Sequence, residues 1–538
     1  MALNDAAKGL HVLTLPAPSP AALSLVLLHG LGFSGAVWQE LADDLKSSFR
    51  LHIFDLPGFG QSAPPPPGKP LETLLAGVLA QLPPRACLLG WSLGGHLALE
   101  LAMRFPKRVS GLVTIGTNPC FQQRQGWRAG VPREDLSKFR EIIAGGQEEG
   151  IRRLAALIAR GEEEPLSVAH RCERLAASAP PSAEGIEAGL RVLAEADMRE
   201  GLQALPIPVL HILGGGDALV PVALAPALGH LCPAHRVMVL PRAGHAPFLT
   251  FPAAVAAAVR CFAEDSGLLP PPPQPLDRRR VARSFSRAAS DYDGAALLQR
   301  ESGETLLAHV LAHSGSAADA GRGPRRLLDL GCGTGYFLPK LREAFPQGQH
   351  LALDLATGML HRARSHAAAD AWLAADAAQL PLAAGTLDLI FANLVFQWCA
   401  APGQLLEEMA RVLRPGGCLA FATFGPETLW ELRTAWRAAD GASHVRRFPP
   451  VAEWRQAAIA AGLHGAMLKT QVCMRRYPSL QALASELKSL GARNIAPKGS
   501  GLTPPKQLAK AQAVYETLRD EAGLPATFQL IFGLLEKR

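Results

Sequence analysis

The sequence predicts two α/β domains in tandem, and three observations carry that prediction. Short apolar runs alternate with helical stretches along most of the chain, the pattern of parallel sheets covered on both faces. Two glycine-flanked turns, Gly90-Trp91-Ser92-Leu93-Gly94 and Asp329-Leu330-Gly331-Cys332-Gly333-Thr334-Gly335, each follow such a run. Between them lies a proline-rich joint at 266–275, whose prolines lack the N–H donors a helix or a sheet ladder needs. The expected divisions are a first domain over 1–265, an extended linker over 266–280 and a second domain over 281–538.

Size and composition agree with two cores. A chain of 538 residues exceeds one ordinary domain, and with 48% apolar and 19% charged residues each half can bury a core of its own. The net charge of +7 and pI near 9.0 come from scattered basic residues, which fits a partner of modest negative charge and argues against nucleic acid. Nine cysteines, an odd number with no C-x-x-C pair, point to reduced thiols and to no metal cage. The first residues lack a signal-peptide pattern, and no run reaches the roughly 18 apolar residues that span a bilayer. A cytoplasmic protein without a membrane association is expected.

In the first domain, strand candidates fall at 25–28, 51–54, 87–89, 112–115, 209–213 and 237–240. The prolines at 64–67 read as a loop, and 121–199 as a helical cap without a strand. Ser92 sits in a G-x-S-x-G turn between a strand and a helix, where flanking glycines admit a crowded bend that exposes a nucleophile. A nucleophilic serine needs a base and an orienting acid, and both follow in the order Ser, Asp, His. Asp217 lies after the strand at 209–213 and His245 after the strand at 237–240. The amides of Leu31, after His29-Gly30, and of Leu93 are placed to form an oxyanion hole.

These segments, with Asp55-Leu56-Pro57-Gly58-Phe59-Gly60-Gln61-Ser62, resemble the α/β-hydrolase family over about 20–263. Within it the first half is similar to the pimeloyl-[acyl-carrier protein] methyl ester esterases of biotin synthesis, on three features. These are Asn118-Pro119-Cys120-Phe121, the arginine-rich cap, and the pair Gly214-Gly215-Gly216-Asp217-Ala218-Leu219-Val220-Pro221 and Ala243-Gly244-His245-Ala246-Pro247-Phe248. The resemblance implies an acyl chain bound beside Leu31, Ser92, Leu93 and His245, with Leu154, Ala155, Ala156, Leu157 and Ile158 lining its far end. Position 31 is often Trp in such relatives. Arg152, Arg153, Arg171 and Arg174 are candidates for gripping an acidic carrier protein, and a solvated helical face accounts for any one of them equally well.

In the second domain, strand candidates lie at 326–330, 350–353, 387–393 and 418–424. The first runs into G-x-G-x-G with Asp329 ahead of it, a spacing unlike the G-x-G-x-x-G of dinucleotide sites. Asp354 ends the next strand, where an acid can accept from both ribose hydroxyls, and Asp376 is placed for an adenine amine. This set resembles the class I (Rossmann-like) S-adenosylmethionine methyltransferases over about 325–425. It implies a donor site on Asp329, Gly331, Gly333, Gly335, Asp354, Asp376 and Asn393.

The acceptor is narrowed by what Asn393-Leu394-Val395-Phe396 lacks, namely the Asn/Asp-Pro-Pro-Tyr/Phe clamp of base-amine methyltransferases. The segment at 281–293, with Leu297-Leu298-Gln299-Arg300, Asn393-Leu394-Val395-Phe396-Gln397-Trp398-Cys399 and Leu487-Lys488-Ser489-Leu490-Gly491-Ala492-Arg493-Asn494, resembles the malonyl-[acyl-carrier protein] O-methyltransferases. There 281–293 would form an N-terminal lid. Tyr292, Gln299 and either Arg283 or Arg493 are candidates for placing the malonyl carboxylate, and helix packing explains each as well. Together the halves imply an enzyme pair acting on acyl carrier protein: one masks a malonyl carboxyl as its methyl ester, the other hydrolyses the pimeloyl methyl ester. Alternatives are another carrier-bound or small-molecule acid, or an S-adenosylmethionine-sensing module fused to an esterase.

Overall fold

The computed structural model describes residues 9–538 except 18, 20–21, 67–69, 145–146, 233, 271–276, 320–322, 400, 443 and 493–503. Most of the proline joint, Pro67, Arg493 and Asn494 therefore lie outside the described residues. The chain divides into two compact units, one of Met1–Pro271 with Arg437–Gly441 and Ala509–Asp520, the other of the remaining residues. None of the described helices is long and apolar enough to cross a membrane.

The first unit is built on β1 (Val12–Leu15), β2 (Ser24–Leu28), β3 (Arg50–Phe54), β4 (Ala86–Trp91), β5 (Val109–Ile115), β6 (Val209–Gly214) and β7 (Arg236–Leu240), in the order β1-β3-β2-β4-β5-β6-β7. All neighbours pair in parallel except β1 with β3. Leu25, Val26, Leu27 and Leu28 are wholly buried, as a strand covered on both faces requires. β1 escaped the sequence reading because it is a short edge strand with an exposed centre. Helix α1 (Leu93–Arg104) follows β4 directly. The cap between β5 and β6 is helical, as its composition predicts: α2 (Arg133–Ala144), α3 (Gln147–Ala159), α4 (Pro165–Ala177) and α5 (Ala183–Glu195).

In the second unit, α6 (Arg278–Ala288) begins inside the segment read as linker, its first turn capped by the Asp277 carboxylate, which accepts from Arg280 N–H at 3.0 Å. The long α7 (Leu297–Asp319) leads to the sheet. The sheet has β8 (Arg326–Leu330), β9 (Gln349–Asp354), β10 (Ala371–Ala374), β11 (Leu387–Asn393), β12 (Leu413–Phe424), β13 (Leu463–Tyr477) and β14 (Leu524–Lys537). Their order is β10-β9-β8-β11-β12-β14-β13, with β14 antiparallel to both its neighbours and the rest parallel. The sheet is therefore mixed, whereas the sequence showed only its parallel strands β8, β9, β11 and β12. Phe396, Phe421 and Trp454 pack ring to ring in its core.

Candidate active sites

Every chemical group of the first site stands at the carboxyl end of a strand. Ser92 follows β4 with φ 53° and ψ −114°, a left-handed bend rare for a non-glycine residue. Its neighbours permit the bend: a Cβ on Gly90 would lie 2.6 Å from Gly95 Cα, and one on Gly94 would strike the Leu28 carbonyl. Ser92 N–H donates to Ile115 O at 2.9 Å, tying the elbow to β5. The Leu93 amide occupies the first helical position, whose N–H has no intrahelical acceptor.

His245 Nδ1 and Asp217 Oδ2 are 2.8 Å apart, both side chains almost fully buried. A carboxylate only accepts, so Nδ1 carries the proton and Nε2 remains the basic nitrogen. Asp217 Oδ1 accepts from the amides of Leu219 (2.8 Å) and Val220 (2.9 Å), which fix the acid from behind. Trp91 Nε1 donates to His245 O at 2.9 Å.

His29 and His96 serve otherwise. His29 donates from Nδ1 to Gly30 O and accepts from Leu56 N–H at Nε2, and burial lowers its pKa to about 4. His96 donates to Ser92 O at 3.1 Å and is also lowered to about 4 by burial. Both are neutral struts of the turns around the site.

Ser92 and His245 open on a cavity of about 330 Å3 lined by Leu31, Trp91, Phe121, Leu154, Ile158, Leu193 and Leu219. Of the cap run 154–158, Leu154 and Ile158 line it, one helical turn apart on the same face of α3. Ala156 is exposed, and Ala155 and Leu157 lie off the lining, because successive helical residues point in different directions. The cap also packs on the side chains of Leu31 and Leu93: a Cβ on Gly189 would lie 2.6 Å from Leu31 Cδ1 and 2.8 Å from Leu93 Cδ2. Among the carrier candidates, Arg152 and Arg153 both pair with Glu149, and Arg171 pairs with Glu40 and donates to Leu249 O. Arg174 is exposed.

The second site surrounds the glycine loop after β8. Gly331, Gly333 and Gly335 have φ of 69°, 54° and 83°, a run of left-handed conformations that favours glycine. A Cβ on Gly331 would collide with Val395, while one on Gly333 would meet nothing within 4 Å. Asp354 Oδ2 accepts from Gly333 N–H (2.9 Å) and Oδ1 from Ala356 N–H (2.7 Å). Burial pushes Asp354 up to about 6 and Asp329 up to about 8, the Asp354 charge adding to the latter. Asp329 Oδ2 is buried without a hydrogen-bond partner.

A cavity of about 730 Å3, open to solvent, extends from this loop. Gly331, Gly333, Asp354, Asp376 and Asn393 line it, and α6 contributes Arg278, Val281, Ala282 and Phe285. The segment read as a lid thus covers the cavity, with Phe285 edge-on to Trp398 at 5.3 Å. Asp376, expected to meet adenine, is paired with Arg278, at the start of α6 within the segment read as linker. The Asn393 side chain is committed to α7, donating to Gln299 O (2.7 Å) and accepting from Ser302 Oγ (2.9 Å).

Of the acceptor candidates, Tyr292 lines the cavity and Gln299 Oε1 is buried and unpartnered. Arg283 is exposed and donates to Arg279 O, on the outer face of α6, so it does not reach the cavity. Sequence reasoning passed over Arg446. Its Nε and Nη1 are buried without a partner, and its charge acts on Cys399 in the cavity wall. It also passed over Glu162, a buried acid beside the His245 loop. Neither lies in a recognisable motif. Among the described residues no cluster of three His, Cys, Asp or Glu is placed to hold a metal ion.

The alpha/beta hydrolase fold family matches residues 24–252, and the methyltransferase domain family matches 328–421. The chain is 36% identical to the biotin biosynthesis bifunctional protein BioHC of Cellvibrio japonicus over 516 residues, covering 95% of this chain and 99% of that protein. Its second half is 45% identical over 266 residues to a malonyl-[acyl-carrier protein] O-methyltransferase of Methylococcus capsulatus, covering 48% of this chain and 94% of that one. The first half is 41% identical over 232 residues to a pimeloyl-[acyl-carrier protein] methyl ester esterase of Aeromonas hydrophila, covering 42% and 90%. The chain belongs to the family of bifunctional biotin-biosynthesis enzymes that join an α/β-hydrolase to a methyltransferase.

Proposed function

We propose that the second unit methylates the free carboxyl of a malonyl group on acyl carrier protein, and that the first hydrolyses the methyl ester of the pimeloyl-carrier grown from it. The observation that carries the esterase half is the apolar cavity in front of Ser92. Among the described residues that line it the one ionisable side chain is His245, so a neutral methyl ester is accommodated and the product carboxylate is expelled. Ser92 Oγ attacks the ester carbonyl as His245 Nε2 takes its proton, and Asp217 stabilises the imidazolium. The amides of Leu31 and Leu93 receive the oxyanion. Methanol leaves with the proton returned by His245, and water then releases the acid by the same route.

For the methyltransferase half, the residues present fit S-adenosylmethionine. The unpartnered Oδ2 of Asp329 suits a cationic group, and the empty space above Gly333 leaves backbone open to close approach. When bound, the donor supplies a methyl group on a cationic sulfur, which a carboxylate oxygen takes as the carbon–sulfur bond breaks. Asp354 keeps acceptor capacity for ribose hydroxyls, and Asp376 becomes available for the adenine amine if Arg278 releases it. Arg446, buried with two unpartnered nitrogens, is the counter-charge for the acceptor carboxylate, holding it until methylation removes the charge. The α6 lid excludes water, which matters because a carboxylate is already a nucleophile and needs chiefly orientation. An odd count of nine cysteines with no C-x-x-C pair fits a cytoplasmic setting.

The test is intact-mass analysis of malonyl-carrier protein incubated with S-adenosylmethionine and the Ser92→Ala variant. A gain of about 14 Da, one methylene, that base reverses is expected. No gain with donor binding intact would break the assignment. Arg446→Ala should raise KM for the malonyl-carrier at least about tenfold and leave donor affinity unchanged.

A further inference from the structure

Glu162 sits in the run Glu162-Glu163-Glu164 just after α3, a pattern that reads as solvated charge, yet it is only 7% exposed. Both of its oxygens are spoken for by the segment that carries His245. Gly244 N–H donates to Oε1 at 2.7 Å, and Thr250 Oγ1 donates to Oε2 at 2.9 Å. The two donors lie on either side of His245 in the chain. The same cap turn reaches the loop twice more. His245 N–H donates to Ile158 O at 3.1 Å, and Gly244 packs so closely that a Cβ there would lie 2.6 Å from that carbonyl. Gly161, at φ +88°, abuts Gly216, the residue before Asp217. One turn of the cap therefore touches both loops that carry the acid and the base.

We infer that Glu162 is a positioning residue for ester hydrolysis, clamping the His245 loop so that Nε2 is presented to Ser92 while Nδ1 stays on Asp217. The inference rests on Ser92, His245 and Asp217 being the hydrolytic machinery. Its reach is wider than one residue, because Ile158 both lines the acyl cavity and accepts the His245 amide. The wall that meets the acyl chain and the base that activates Ser92 are thereby joined through a single peptide group. Burial raises the Glu162 pKa, and the Asp217 and Glu163 charges push the same way. A glutamine, neutral and of the same shape, can still accept from Gly244 and donate to the Thr250 hydroxyl. A side chain truncated at Cβ cannot.

The experiment is steady-state hydrolysis of p-nitrophenyl butyrate by the full chain, with thermal melting of each variant as the folding control. Displacing a catalytic base by about 1 Å costs on the order of 100-fold. Glu162→Ala is expected to lower kcat about 10–100-fold with KM within about threefold, and Glu162→Gln to return kcat to within about threefold of the parent. Three results overturn the inference: kcat of Glu162→Ala within about threefold of the parent, an effect on KM alone, or a folded Glu162→Gln no better than Glu162→Ala. If Glu162→Ala does not melt cooperatively, Thr250→Val decides. A loss in kcat at constant KM supports the clamp, and an unchanged kcat overturns it. Persistent activity in Ser92→Ala would instead sink the underlying reading of the machinery.

Discussion

Ser92 and Asp354 each belong to one site, so their removal should separate the two reactions. Ser92→Ala is expected to lower ester hydrolysis at least about 1000-fold and leave methyl transfer intact, with Asp354→Ala doing the reverse. Parallel assays of both activities on each variant check this, and loss of both from either change would contradict it. The buried acids of the donor site make a second prediction. Asp329 is raised to about 8 and Asp354 to about 6, so near pH 6 much of the site is protonated. A cationic donor favours the ionised forms, so its affinity should rise about tenfold or more from pH 6 to pH 8. Calorimetric titration in buffers of different ionisation enthalpy should show proton release, and a flat affinity profile would count against the assignment. The positions of Ser92, Asp217, His245 and Asp354 were legible in sequence because each stands at or just beyond the end of a strand, within a motif whose chemistry demands that residue type. Glu162 and Arg446 were not, because in sequence each stands beside a residue of the same kind, Glu163 and Arg447; burial marks out Glu162, and its action on Cys399 marks out Arg446.

At the level of the element, glycine separates folding from binding. A Cβ on Gly94 would strike the Leu28 carbonyl inside the sheet, so Gly94→Ala should destabilise the first unit outright. Gly333 differs, since its substituent would meet no protein atom within 4 Å and would project at the cavity. Gly333→Ala should therefore fold, with a left-handed strain of about 1 kcal/mol, but lose donor binding. Thermal melting and donor titration of the one variant distinguish these effects; a normal affinity would refute the close-approach role. The α3 run shows what helical spacing adds to a sequence reading. Leu154 to Ile158 reads as one apolar patch, but only its first and last members share the face that lines the cavity. Several strands were legible where burial on both faces produced unbroken apolar runs, as in β2 and β4, although β14, buried along most of its length, was passed over. The short edge strands β1 and β10, and β13 with its largely exposed face, lack such runs.

For the molecule as a whole, the two reactions oppose each other, and the esterase must spare the ester its partner unit makes. The apolar wall at Leu154 and Ile158 is expected to provide the discrimination, because a pimeloyl chain would reach apolar surface that a malonyl chain leaves bare. Comparable kcat/KM values for the two carrier-bound methyl esters would contradict this. Stability should also depend on pH. Glu431 is fully buried in the second unit, accepting from Thr527 N–H and Thr527 Oγ1, and burial raises it to about 7. A carboxyl raised on folding contributes its stability below about pH 4.5 and loses it as pH climbs through about 7. Melting of the second unit should thus weaken from pH 5 to pH 8, and Glu431→Gln should flatten part of that slope.

The position of β14 between β12 and β13 has a consequence for biosynthesis. Every strand of the hydrolase sheet has emerged once β7 is made, so that sheet can form while the rest of the chain is still being synthesised. β13, by contrast, leaves the exit tunnel with nothing to pair with until β14 follows. During that interval the nascent methyltransferase holds two open sheet edges, and chaperone engagement should concentrate there.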